Sequence, residues 1–194
     1  MVIGIIMISQ EIKDLAKRIY DACQPYCISI YYGGSRVNKY IKNPGDYDFI
    51  LFGRTPEDMC HIRRVLFRYL NKNSDIHYIN DFSQVRNKEI EEHSYGSYIN
   101  NMMIKLVGED IEFKFDIIDK NREEYKQILK ETIVKLNEGK IKNQKRWYQI
   151  YQGLCIMNNN SYELTEKQIK NINILHDKKE GSKEIIEEIK LWQI

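Results

Sequence analysis

A chain of 194 residues with 42% hydrophobic and 30% charged side chains and only three prolines has the composition of a soluble globular protein, one domain or a domain with a helical appendage. The formal net charge of +2 is close to balance and points neither toward nor away from a polyanionic partner. The first apolar run, "MVIGIIMI", lacks a basic n-region and a cleavage site. Nothing approaches the ~20 apolar residues of a membrane span, so neither a secretory leader nor a membrane partner is expected.

Ser9 has the character of an N-cap, and Ile12, Leu15, Ala16, Ile19, Ala22 and Cys23 follow at helical spacing up to Pro25. Residues 27–32 read as a buried strand that Gly33-Gly34 interrupts. A short helix is expected through 36–41, then an "NPG" turn at 43–45 and a second strand at 46–53. Thr55-Pro56-Glu57-Asp58 is a helix start, with Met59, Ile62, Leu66, Tyr69 and Leu70 as the apolar face. A strand at 75–79, an irregular polar stretch at 81–99 and a hairpin follow. The hairpin comprises 101–107, a "GED" turn and 111–118.

From Asn121 the period is helical. Tyr125, Ile128, Leu129, Thr132 and Leu136 line one helix closed by Gly139, and Trp147, Ile150, Tyr151 and Leu154 form the apolar stripe of the next. Thr165 to Gln168 is a capping box that opens a third helix, and Gly181-Ser182 opens a fourth with Ile185, Ile189 and Trp192. The expected organisation is an α/β half, 1–120, followed by a helical region, 121–194.

The chemistry concentrates in "YYGGSRVNKYIKNPGDYDFILF". A Gly-Gly-Ser turn leaving a strand exposes backbone N–H groups with no side chain in the way, which suits phosphates, although the same tripeptide is also an ordinary tight turn. In a strand, residues two apart share a face, so Asp46 and Asp48 sit side by side, away from Tyr47, Phe49 and Leu51, unless Asp46 belongs to the turn. Carboxylates that close repel without a cation between them, and hard oxygen ligands favour Mg²⁺ or Mn²⁺. In "IEFKFDIID", Asp116 is a third acid in the middle of an apolar strand, with a salt bridge to Lys114 as the plainer alternative. Three acids on adjacent strands beside a phosphate-cradling turn make a metal-dependent phosphoryl-transfer centre.

Gly-Gly-Ser, ten residues, Asp-x-Asp between apolar residues and a later apolar-flanked Asp resemble the nucleotidyltransferase superfamily of the DNA polymerase β type, over residues 33–118. The helical tail, with "KRWYQIYQGL", "YELTEKQI" and "GSKEIIEEI", is similar to small predicted nucleotidyltransferases of bacteria and their phages. Where that group carries Lys-x-x-x-His, this chain has Lys145 and Gln149, so no role for the histidine transfers.

The resemblance implies a mixed, twisted sheet with a helical bundle closing a nucleotide cleft. It implies that Gly33, Gly34 and Ser35 hold the triphosphate, with Arg36 supporting the turn or touching the phosphates and Lys145 as counter-charge. Asp46, Asp48 and Asp116 would ligate Mg²⁺ or Mn²⁺, and Asp116 would also take the acceptor's proton. The expected substrate is an NTP. The acceptor hydroxyl is open among an RNA 3′ end, a protein side chain and a small molecule. A basic strip of His61, Arg64 and Arg68 suits RNA phosphates or is a solvated helix face. The alternative, from a different class, is a non-catalytic, antitoxin-like or regulatory nucleotide-binding module. The four cysteines lack C-x-x-C spacing and the four histidines are scattered, so reduced, buried thiols in a cytoplasmic protein are expected and no zinc site.

Overall fold

The structure, a computed structural model, describes residues 8–24, 26–45, 47–53, 74–79, 103–110, 122–140 and 146–192. These residues form a mixed α/β protein of two compact units, one containing the sheet and the other the C-terminal helices together with Tyr40–Asn43.

In the first unit, helix α1 (Gln10–Cys23) opens at Ser9, whose hydroxyl accepts from the Ile12 N–H. It ends where Gln24 turns extended ahead of Pro25, as a residue preceding proline is driven to do. Ala16, Ile19 and Cys23 are the buried residues of α1, and the helix packs on strands β1 (Cys27–Gly33) and β4 (Ile104–Gly108). With β2 (Tyr47–Gly53) and β3 (Ser74–Ile79) these strands make a sheet of order β3-β2-β1-β4. β1 pairs antiparallel with both β2 and β4, while β2 and β3 run parallel. The two central strands are buried along almost their whole length, with Ile30, Phe49, Leu51 and Phe52 fully shielded. Tyr31 meets Phe52 edge-on at 5.4 Å between ring centroids, and Tyr32 lies 5.6 Å from Phe49. Such aromatic pairs across β1 and β2 hold the register that sets Gly33 opposite Asp48.

The expected helix over 36–41 does not form. A single 3-10 turn, Gly34–Arg36, takes its place, and the chain then runs on without regular structure to residue 45. Local spacing favoured a helix, but the Tyr40 carbonyl and the Lys42 N–H are taken by the side-chain amide of Asn173, a partner distant in sequence. No α-helix N-terminus therefore follows the Gly-Gly-Ser turn.

The second unit holds α2 (Arg122–Asn137), α3 (Arg146–Asn159), α4 (Glu166–His176) and α5 (Ser182–Leu191). α2 closes at Gly139 with paired bonds, Gly139 N–H to Leu136 O and Lys140 N–H to Lys135 O. Both bonds of the capping box are present at Thr165 and Gln168. The one-sided stripe expected for the second helix is a correction: every residue of α3 from Trp147 to Met157 is buried, Gln149 and Gln152 included. A helix buried all round is a central element rather than an amphipathic surface one. Gly153 lets α2 approach it, since a Cβ there would come 2.5 Å from the Tyr125 hydroxyl. α4 packs on α3 and on α5.

Burial pushes the thiol of Cys23 up to about 11 and those of Cys27 and Cys155 up to about 12, so the described cysteines stay protonated and poorly nucleophilic at neutral pH. No helix among the described residues is long and apolar enough to cross a membrane. The helix at 55–70, the irregular stretch at 81–99, the second hairpin strand at 111–118 and the basic residues His61, Arg64 and Arg68 lie outside the described residues.

Asp177, which caps α4, carries a pH-dependent part of the second unit's stability. Its carboxylate accepts from Lys179, His176 Nδ1 and Asn43, each at 2.9 Å. The Lys179 bond, then the His176 bond, hold it well below the usual carboxylate range against the opposing effect of burial. A depressed carboxyl stabilises the fold above its unfolded value of about 3.9, and that contribution fades as pH falls below it toward the folded value. Asp177→Asn should therefore lower Tm by a few degrees at pH 7, with the gap to wild type closing progressively below about pH 4. Melting curves across pH 2–8 check this, and a gap independent of pH would show that charge is not the cause.

Candidate functional site

The site is built where β1 leaves the sheet. Gly33 is the last residue of β1 and pairs with Asp48 of β2, so strand register alone brings the glycine turn to the acid. Gly34 then takes φ +69°, a left-handed conformation that side chains disfavour. A side chain has no room here either. A Cβ on Gly34 would overlap the Asp48 carboxylate and lie 2.9 Å from Asp48 Cβ. The carboxylate thus leans directly on the backbone of the turn. Asp48 is 9% exposed, an acid sunk into the sheet rather than lying on the surface.

Ser35 and Arg36 secure the chain that leads into β2. Ser35 Oγ accepts from the Gly45 N–H at 2.9 Å, and Arg36 Nε donates to the Gly45 carbonyl at 2.9 Å. The N–H and the carbonyl of one residue, Gly45, are thus held by consecutive residues of the 3-10 turn. The Arg36 guanidinium also sits 3.8 Å above the Tyr47 ring, a cation–π stack. Of the two roles open for Arg36, support of the turn is the one these contacts serve. Ser35 keeps its hydroxyl proton for a further acceptor, because it accepts rather than donates in the bond to Gly45.

The electrostatics register on Tyr32, whose phenol is pushed up to about 12. Burial is the main cause. The Arg36 charge works against it, and Tyr47 and the Asp48 carboxylate add to it. Arg36, Tyr32, Tyr47 and Asp48 are therefore electrically one cluster around the Gly34–Arg36 turn.

Among the sequence-predicted residues, Gly33, Gly34, Ser35, Arg36 and Asp48 are brought together. Asp46, Asp116 and Lys145 lie outside the described residues. Among the described residues, no group of three or more His, Cys, Asp and Glu side chains could hold a metal ion. What bears on a cation is the cradle at Gly34. A bare carboxylate pressed against this turn would repel any phosphate held there, so the turn and the acid could serve one anionic ligand only with a positive charge between them. Asp48, a hard oxygen donor, fits Mg²⁺ or Mn²⁺ in that position.

Sequence reasoning missed Tyr47 as the platform for Arg36, although the pair brackets the turn. It also missed Gly45 as the residue whose backbone Ser35 and Arg36 grip. Compared with protein-family models, curated proteins and solved structures, this chain matches none.

Proposed function

We propose that this chain is a metal-dependent nucleotidyltransferase, which moves an NMP from an NTP to an acceptor hydroxyl with release of pyrophosphate. The observation that carries the reading is the apposition of the buried Asp48 carboxylate and the left-handed Gly34 of a strand-to-turn junction, in a place where any side chain would keep acid and turn apart. A tight turn with no ligand to admit has no need of an acid against it.

In the reaction, the acceptor oxygen forms a bond to the α-phosphorus while the bond from that phosphorus to the pyrophosphate oxygen breaks, and the acceptor's proton leaves to a base. Asp48, with Asp46 and Asp116, would hold Mg²⁺ or Mn²⁺, which supplies charge neutralisation at the phosphates when bound. The backbone N–H groups of the Gly34–Arg36 turn and the Ser35 hydroxyl orient the β- and γ-phosphates. Arg36 holds the turn against Gly45 and contributes positive charge beside it. By the resemblance, Asp116 would take the acceptor's proton and Lys145 would supply counter-charge to the triphosphate. Most of the acceleration comes from positioning and charge rather than from covalent chemistry.

Incubation with each α-³²P-labelled NTP, Mg²⁺ and total cellular RNA or protein tests this. Label is expected in one acceptor fraction, lost when Asp48 is replaced by Asn. Binding of NTP–Mg²⁺ with no labelled fraction from any nucleotide would favour the non-catalytic binding module instead.

A further inference from the structure

Tyr47 and Asp48 are consecutive in β2, so their side chains leave opposite faces of the sheet. Asp48 lies on the face of its pairing partner Gly33, with its carboxylate against Gly34. Tyr47 shares the other face with Phe49 and with Tyr32 of β1, whose ring stands 6.4 Å from that of Tyr47 and 5.6 Å from that of Phe49. The Arg36 guanidinium, 3.8 Å from the centre of the Tyr47 ring, is therefore on the side of the sheet that Asp48 faces away from. Tyr32, Arg36, Tyr47 and Asp48 all belong to the unit that contains the sheet.

That placement of the arginine needs a cause. Only Ser35 separates Arg36 from Gly34, the residue on which the Asp48 carboxylate leans. A guanidinium and a carboxylate so near each other pair readily, because the two-pronged arginine–carboxylate contact is among the strongest that side chains make. Burial raises the Tyr32 phenol most, Arg36 then lowers it and Asp48 raises it further, so both charges lie within electrostatic range of one group. Two contacts hold the arginine to the Tyr47 side. Its Nε donates to the Gly45 carbonyl at 2.9 Å, and its guanidinium lies over the Tyr47 ring. Gly45 takes the nitrogen nearest the stem, and the ring holds the charge itself, by the attraction of a cation to an aromatic face.

We propose that Tyr47 is a positioning residue for nucleotidyl transfer: by holding Arg36 on its own face of the sheet, it keeps that guanidinium from competing with the divalent cation for Asp48. The arginine thus supports the turn without neutralising the acid. The inference rests on the functional reading above, in which Tyr47 touches neither substrate nor metal.

In the experiment, Mn²⁺ alone is titrated into wild type, Tyr47→Ile, Tyr47→Phe, Arg36→Gln and the double variant Tyr47→Ile/Arg36→Gln. Binding is read from the loss of the free ion's EPR signal, and Asp48→Asn marks the part that belongs to this site. Isoleucine keeps a strand-forming residue at position 47 but has no aromatic face, so Arg36 is released. Mn²⁺ binding should weaken about tenfold or more in Tyr47→Ile and stay within about twofold of wild type in Tyr47→Phe. In the Arg36→Gln background, Tyr47→Ile should cost less than about twofold, since no competing cation is left. Equal losses with and without Arg36 would show that the ring merely packs and would overturn the proposal, as would wild-type binding in Tyr47→Ile. If Tyr47→Ile does not fold, pentafluorophenylalanine at position 47 decides. It keeps the shape of the ring but repels a cation from its face, and should weaken Mn²⁺ binding as isoleucine does. Mn²⁺ bound by wild type without nucleotidyl transfer would sink the transferase reading, and the same titrations would still decide whether Tyr47 holds Arg36 off the acid. A wild type that binds no Mn²⁺ through Asp48 would sink both.

Discussion

Gly34→Ala is expected to lose nucleotidyl transfer by at least about a hundredfold and to be destabilised in addition. Two effects combine. A non-glycine residue at φ +69° carries about 1–3 kcal/mol of backbone strain. The added carbon also occupies space that the Asp48 carboxylate fills, so the acid must rotate away from the turn or the turn must leave the sheet. Gly139 separates the two effects. It has the same φ of +69°, and a Cβ there would meet nothing within 4 Å. Gly139→Ala should therefore show the strain alone, with a lower midpoint in urea and unchanged transfer. The excess loss of stability and all loss of activity in Gly34→Ala belong to the collision with Asp48. A Gly34→Ala protein that transfers at the wild-type rate would show that the apposition of turn and acid has no part in function.

Asp48→Asn should abolish transfer, by about a thousandfold or more, while leaving the fold in place. Asparagine has the same shape, so the contact with Gly34 and the packing of β1 against β2 survive, and only the charge is removed. With wild type, Mg²⁺ or Mn²⁺ together with NTP should raise Tm, because a ligand that binds only the folded state stabilises it by mass action. The gain should largely vanish in Asp48→Asn. An equal Tm gain in the two proteins would mean that the carboxylate holds no cation, and the phosphoryl-transfer reading would fall with it.

The pair of predictions rests on features that differ in how far the sequence revealed them. Period and caps are local properties, so α1 after Ser9, the four C-terminal helices and the capping box at Thr165 were all legible in the order of residues. The alternation around Asp48 was legible for the same reason: a strand has only two faces, and Tyr47, Phe49 and Leu51 claim one of them. What the sequence by itself determined, then, is the succession of the described helices and strands, the expected 36–41 helix apart, and the candidacy of Gly-Gly-Ser and Asp-x-Asp as one site.

Register, close approach and long-range hydrogen bonds belonged to the tertiary structure. Gly33 and Asp48 are fifteen positions apart, and only antiparallel pairing of β1 with β2 sets them opposite each other. Residues 36–41 have adequate helical spacing, yet the Asn173 amide takes the Tyr40 carbonyl and the Lys42 N–H in place of helical partners. Trp147, Ile150, Tyr151 and Leu154 read as one stripe, but burial on every side of α3 depends on how the other helices pack, which periodicity does not record. Asn173 looks in sequence like any polar residue of an exposed helix face. The oxygen and nitrogen of its amide find these partners only because the fold brings the backbone of Tyr40 and Lys42, more than a hundred and thirty residues earlier, within hydrogen-bonding distance of α4.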